Sequence, residues 1–170
     1  VQFWRGFGPD SIIVFNHDFS ILWRAEVSTG LTTSMPAVGG HAITAGDIDG
    51  DGDIEVLAAT LRESYIRIFD GATGAFIRNI GGDTYGKPYG GMSLFDLDED
   101  GKLEVISCWC NVPGGGITAV SCFHAYNGLE FWTINQGFSY GVAKIDLDPF
   151  PDIVISSKEG GTVYNKLYTF

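Results

Sequence analysis

The feature that most constrains this chain is a recurring pair: an acidic loop followed at once by a short apolar run. The first copy reads Asp47-Ile-Asp-Gly-Asp-Gly-Asp-Ile-Glu-Val-Leu and the second Asp96-Leu-Asp-Glu-Asp-Gly-Lys-Leu-Glu-Val-Ile. A third, Asp146-Leu-Asp-Pro-Phe-Pro-Asp-Ile-Val-Ile, is shorter. Their starts lie 49 and 50 residues apart, the period expected of a repeat protein. A second unit is interleaved with the first. Phe15, Phe69 and Phe123 close apolar runs 54 residues apart, and each is followed by a turn and another apolar run. Those turns (Asn16-His17-Asp18, Asp70 to Gly74, Asn127-Gly128) use residues that reach positive φ easily, a hairpin signal.

A lead-in run precedes each loop, at 41–45, 91–95 and 142–145. One repeat therefore reads strand, acidic loop, strand, link, strand, turn, strand, and four antiparallel strands in about 50 residues is one propeller blade. No helical period competes. The expected fold is all-β, a β-propeller-like array of four-stranded antiparallel blades. Residues 36–80 and 88–134 are predicted to be full blades, 11–27 a C-terminal half-blade and 140–170 an N-terminal half-blade. That makes about three blades, too few for a closed ring, since closed propellers have about four to eight. The expectation is either that chains complete one another head to tail, giving a ring or filament, or that the chain is a fragment of a larger adhesin or receptor.

Composition supports this pattern. Twenty-four glycines and 14% aromatics in 170 residues suit many short strands and tight turns. The net charge of −11 repels nucleic acid and anionic membranes and attracts cations. No apolar run is long enough to span a bilayer. The opening Val1 suggests a mature, processed or truncated product. Cys108, Cys110 and Cys122 leave two readings open, one bridge made by Cys122 or three small buried side chains.

Carboxylates at alternate positions of a tight loop suit a hard cation that takes six to eight oxygens, and calcium fits best. Gly52 and Gly101 stand at the sixth position, where the chain must turn sharply. An EF-hand would need glutamate at position 12 and a following helix. Ala58 and Ser107 stand there, and β-rich sequence follows. The loops instead resemble FG-GAP and related VCBS repeats, found in integrin α-subunit propellers and secreted bacterial proteins. The resemblance covers roughly residues 36–157. It implies an extracellular or secreted protein and two calcium sites. The first would use Asp47, Asp49, Asp51, Glu55 and the Asp53 carbonyl; the second would use Asp96, Asp98, Asp100, Glu104 and the Lys102 carbonyl. In the third loop Pro149-Phe150-Pro151 replaces the Gly-Asp-Gly core. A structural turn is expected there, with weak binding by Asp146, Asp148 and Asp152 as the alternative.

His17 and His124 fall at hairpin turns and read as solvated, and His41 as packed or surface. No catalytic signature is present. Trp23 and Trp132 recur at near-equivalent positions and read as packing between blades, whereas Trp4 and Trp109 are less constrained. The leading expectation is a non-enzymatic module that binds protein or glycan and itself. The alternative, by analogy with rhamnogalacturonan lyases of similar repeat sequence, is a calcium-dependent polysaccharide-active enzyme. Ten Lys and Arg with no cluster argue against that chemistry.

Overall fold

The computed structural model describes residues 11–27, 42–59, 64–110, 117–135, 137–148, 150–159 and 162–168. Trp4, His41, Pro149 and the glycine pairs at 39–40, 114–116 and 160–161 lie outside them. The described residues contain strands and turns and no helix. Four antiparallel sheets form, and no barrel closes among them. The first pairs β1 (Ser11–Phe15) with β2 (Ile21–Glu26). The second runs β3 (Ala42–Gly46), β4 (Glu55–Ala59), β5 (Tyr65–Asp70), β6 (Phe76–Gly81). The third runs β7 (Lys87–Phe95), β8 (Glu104–Cys110), β9 (Ile117–His124), β10 (Glu130–Asn135). The fourth joins β11 (Gly137–Ala143), β12 (Asp152–Glu159) and β13 (Thr162–Tyr168).

Each sheet is a meander of consecutive strands, as short connections between antiparallel neighbours dictate. The strand leading into the third loop comes earlier than its sequence suggests, ending at Ala143. Beyond Lys144, the backbone N–H groups of Ile145 and Asp146 donate to the Asp152 carboxylate and so leave the ladder.

The sheets stack face to face in chain order, and period-2 alternation decides which side chain meets which neighbour. On β4, Val56 and Ala58 join Ile12, Trp23 and Val27 of the first sheet's side, while Leu57 and Ala59 join the core shared with the third sheet. On β8, Val105 and Trp109 face that same core, and Ile106 and Cys108 pack with Ile153 and Ile155 of the fourth sheet. Both central strands are therefore buried on both faces, which is why they read as continuous apolar runs. Trp109 is fully buried between Tyr85 and Phe123, with ring centroids 5.6 and 5.8 Å away. Trp23 packs on Phe69 across the first interface and donates from Nε1 to the Gly71 carbonyl at 2.8 Å. The three cysteines are buried free thiols. Burial pushes the Cys108 thiol up to about 11, so it stays protonated and inert.

Candidate metal centres

In each four-stranded sheet the acidic loop links the first strand to the second, and its last acid opens the second strand. Glu55 begins β4 and Glu104 begins β8, and they are 7% and 0% exposed. A buried carboxylate must be hydrogen-bonded or bound. Both reach back across their loop: Glu55 Oε2 accepts from Ile48 N at 3.1 Å, and Glu104 Oε2 accepts from Leu97 N at 2.9 Å.

The first aspartate shapes each loop. Asp47 accepts from Gly50 N at 2.8 Å and Gly52 N at 3.0 Å, and Asp96 accepts from Gly101 N at 3.0 Å. Gly52 and Gly101 adopt φ of 94° and 85°, the left-handed conformation expected at the sixth position. At the fourth position the loops differ: Gly50 has φ 80°, and Glu99 is forced to φ 58°.

These turns point carboxylates inward. Ligand-type oxygens of Asp47, Asp49 and Glu55 lie within 4.8 Å of one another, as do those of Asp96, Asp98 and Asp100. A third such group, Asp98, Glu104 and His124, shares Asp98 with the second. Both loops thus hold acidic groups that could bind a metal ion. Asp51 falls outside the first convergent group, and its carboxylate accepts from Asp53 N at 2.8 Å. Lys102 N donates to Asp100 in the same way, and the Lys102 ammonium sits 4.2 Å over the Tyr126 ring.

Electrostatics ask for a cation. Burial pushes the Glu55 carboxyl above its ordinary range. The Ile48 N–H pulls it back, and Asp49, Asp51 and Asp47 push it up further. Burial also raises Glu104, against the opposing hydrogen bonds of Leu97 and His124, with Asp98 adding to the rise. The Asp96 Oδ1 atom is buried and has no hydrogen-bond partner among the described residues. An unpartnered carboxylate oxygen among other carboxylates is a group that a hard divalent cation could take up. Asp96, Asp98 and Asp100 offer the oxygens that could hold one there, with Glu104 reaching Asp98 in the adjoining group, and a cation would neutralise charge that the loop crowds together.

The third loop is built differently. Asp152 opens β12 at 1% exposure, equivalent to Glu55 and Glu104, and its Oδ2 accepts from Ile145 N at 2.6 Å and Asp146 N at 3.2 Å. Asp146 accepts from Asp148 N, and Asp148 from Phe150 N, both at 2.9 Å. Each carboxylate is used as a turn cap, and among the described residues these three form no convergent ligand group.

The first two loops touch. Leu103 N donates to the Ile48 carbonyl at 3.1 Å, and a Cβ on Gly50 would stand 3.1 Å from the Gly101 carbonyl. The two candidate centres therefore share one end of adjacent sheets.

His124, expected at the solvated turn, is instead half-buried, with Nδ1 2.9 Å from Glu104 Oε1. The signal lay in register: β8 and β9 pair Glu104 with His124, as β4 and β5 pair Glu55 with Asp70. His17 is exposed, as its turn position implies.

Fold and loops together define an all-β repeat protein with acidic loops linking the first and second strands of successive antiparallel sheets. Residues 47–107 match the FG-GAP-like repeat family, a span running from the first aspartate of the first loop into the strand after the second. No curated protein matches the chain. Among solved structures, the crystal structure of the V. cholerae biofilm matrix protein Bap1 is similar at 24% identity and a TM-score of 0.38. The alignment covers 68% of this chain and 24% of that one, so this chain spans about a quarter of that protein. A likeness of that degree leaves the fold to be argued from the strands themselves.

Proposed function

We propose that this chain is an extracellular, non-enzymatic β-repeat module. Calcium pins its first two acidic loops, and its sheets bind other proteins or glycans and further copies of the chain. The observation that carries the reading is the pair of convergent carboxylate loops, one with a buried, unpartnered Asp96 Oδ1, placed side by side at the end of two packed sheets. Resemblance to FG-GAP-like repeats supports calcium as the ion and an extracellular setting, where even weak sites fill. No helix among the described residues is long and apolar enough to cross a membrane.

Self-assembly rests on the sheet edges. β1 and β2 correspond to the third and fourth strands of a full sheet, and β11, β12 and β13 to the first three. A four-stranded sheet shared between two chains therefore takes either β1 or β13 at its third position, not both. The deciding experiment strips the chain with chelator, then titrates calcium by calorimetry and sizes the particle with and without the ion. Uptake of two calcium ions with a higher melting temperature supports the reading, and no uptake refutes it. A strict monomer at micromolar concentration removes the self-assembly part. Release of unsaturated sugar from a pectic substrate would replace the binding role with a lyase.

A further inference from the structure

We propose that His124 is a positioning residue for the second loop's metal site: it fixes the Glu104 carboxylate and sets that loop's calcium affinity apart from the first loop's. This rests on the calcium reading above and adds a residue that the loop pattern does not contain.

The argument begins with Glu104, the one loop acid with no exposed surface. Its two oxygens are held from opposite sides. Leu97 N, within the loop, donates to Oε2 at 2.9 Å, and His124 Nδ1 lies 2.9 Å from Oε1. An ionised carboxylate only accepts, so Nδ1 carries the hydrogen. Each oxygen keeps a lone pair for a cation, and the group has lost the rotation that would otherwise let it swing out of the site.

The ring is itself held. Phe131 packs on it with centroids 4.8 Å apart, and Tyr126 lies 5.6 Å away. Its backbone is locked too: His124 N donates to the Leu129 carbonyl at 2.9 Å, closing the hairpin turn. A histidine clamped by packing and aimed at a ligating carboxylate is the arrangement by which outer partners tune a metal site.

The first loop supplies the contrast within the same molecule. The residue paired with Glu55 is Asp70, and its carboxylate turns away to accept from Thr73 N at 2.7 Å and Thr73 Oγ1. Glu55 therefore has the Ile48 N–H donor and no histidine, although the strands and register are equivalent. The structure predicts two calcium sites of unequal pre-organisation, with the second loop the tighter.

The test uses the full chain, stripped with chelator and titrated with calcium by calorimetry. In one background the first loop is silenced by D47N and D49N, so that only the second loop is read. H124A should weaken calcium binding at the second loop about tenfold or more. His124→Asn, which keeps an N–H donor near the Nδ1 position, should restore most of it and guards against loss of packing as the cause. In the other background, with the second loop silenced by D96N and D98N, H124A should leave the first loop's affinity unchanged. Equal affinity in H124A and wild type at the second loop overturns the inference while leaving the calcium reading intact. Failure of the asparagine to rescue, with the fold preserved, also overturns it. Absence of calcium binding at both loops refutes the underlying reading instead.

Discussion

Replacing Glu104 with glutamine separates the two roles of the buried acid, because its effect should change sign with calcium. Glu104 is fully buried, and burial raises its carboxyl above 4.5 despite donors from Leu97 and His124. In the metal-free protein an ionised Glu104 therefore opposes folding, by about 1.4 kcal/mol for each unit of pKa difference from the unfolded chain. Glutamine has the same shape and no charge; its oxygen still accepts from Leu97 N, and its NH2 donates to His124 once the imidazole takes the tautomer with Nδ1 as acceptor. In excess chelator E104Q should therefore stabilise the protein and raise its melting temperature. With saturating calcium the balance reverses. An ion present at about 100 times its dissociation constant adds about 2.7 kcal/mol, and a hundredfold loss of affinity removes nearly all of it. About 0.4 kcal/mol of it survives, so the loss from binding is about 2.3 kcal/mol; set against the gain from the missing charge, the net loss is at most about 2 kcal/mol, or roughly 4–8 °C. Paired thermal melts of both proteins in calcium and in chelator decide the matter. A shift of the same sign in both buffers refutes the reasoning, since Glu104 would then be a structural acid indifferent to metal.

The remaining predictions probe the same balance and the packing around it. For an acid whose folded pKa is raised, stability is greatest below the unfolded value and falls as pH rises toward the folded one, so the chelated protein should lose stability as pH climbs above about 4.5; E104Q should flatten that slope in pH-dependent urea melts. Asp152→Ala should cost about 1–3 kcal/mol, because it strips the Ile145 and Asp146 N–H groups of their acceptor, yet calorimetry should show unchanged calcium stoichiometry. Gly81→Ala should destabilise by about 2–3 kcal/mol in urea denaturation, since Gly81 sits at φ 88° and a Cβ there would stand 2.4 Å from Trp109 Cη2.

The all-β class was legible in the sequence because its signals are local. A loop of alternating aspartates with glycine at position six, followed by β-branched and apolar residues, specifies turn and strand without distant partners. Repetition of that pattern near 50 residues told where strands recur; that Glu55–Ala59 and Glu104–Cys110 are covered on both faces emerged only from the stacking of the sheets. What covers them was not local. That Trp23 reaches the Gly71 carbonyl, that Trp109 fills the gap over Gly81, and that Ile48 and Leu103 tie the two loops together are contacts between chain segments far apart in sequence. The third loop's Pro-Phe-Pro core already pointed to a structural turn ahead of weak binding, but which backbone N–H groups its carboxylates accept from is decided only in the folded chain. His124 gives the sharpest case. Its turn position suggested solvent, since sequence shows the neighbours along the chain and not those across the ladder. The β8–β9 register places it opposite Glu104, and a one-residue slip would have sent its side chain to the other face of the sheet. Sequence by itself determined the elements and the acids they carry, because turns and strands are chosen by nearby atoms; tertiary structure alone decided which acids converge and what holds them, because that depends on register and on which face meets which.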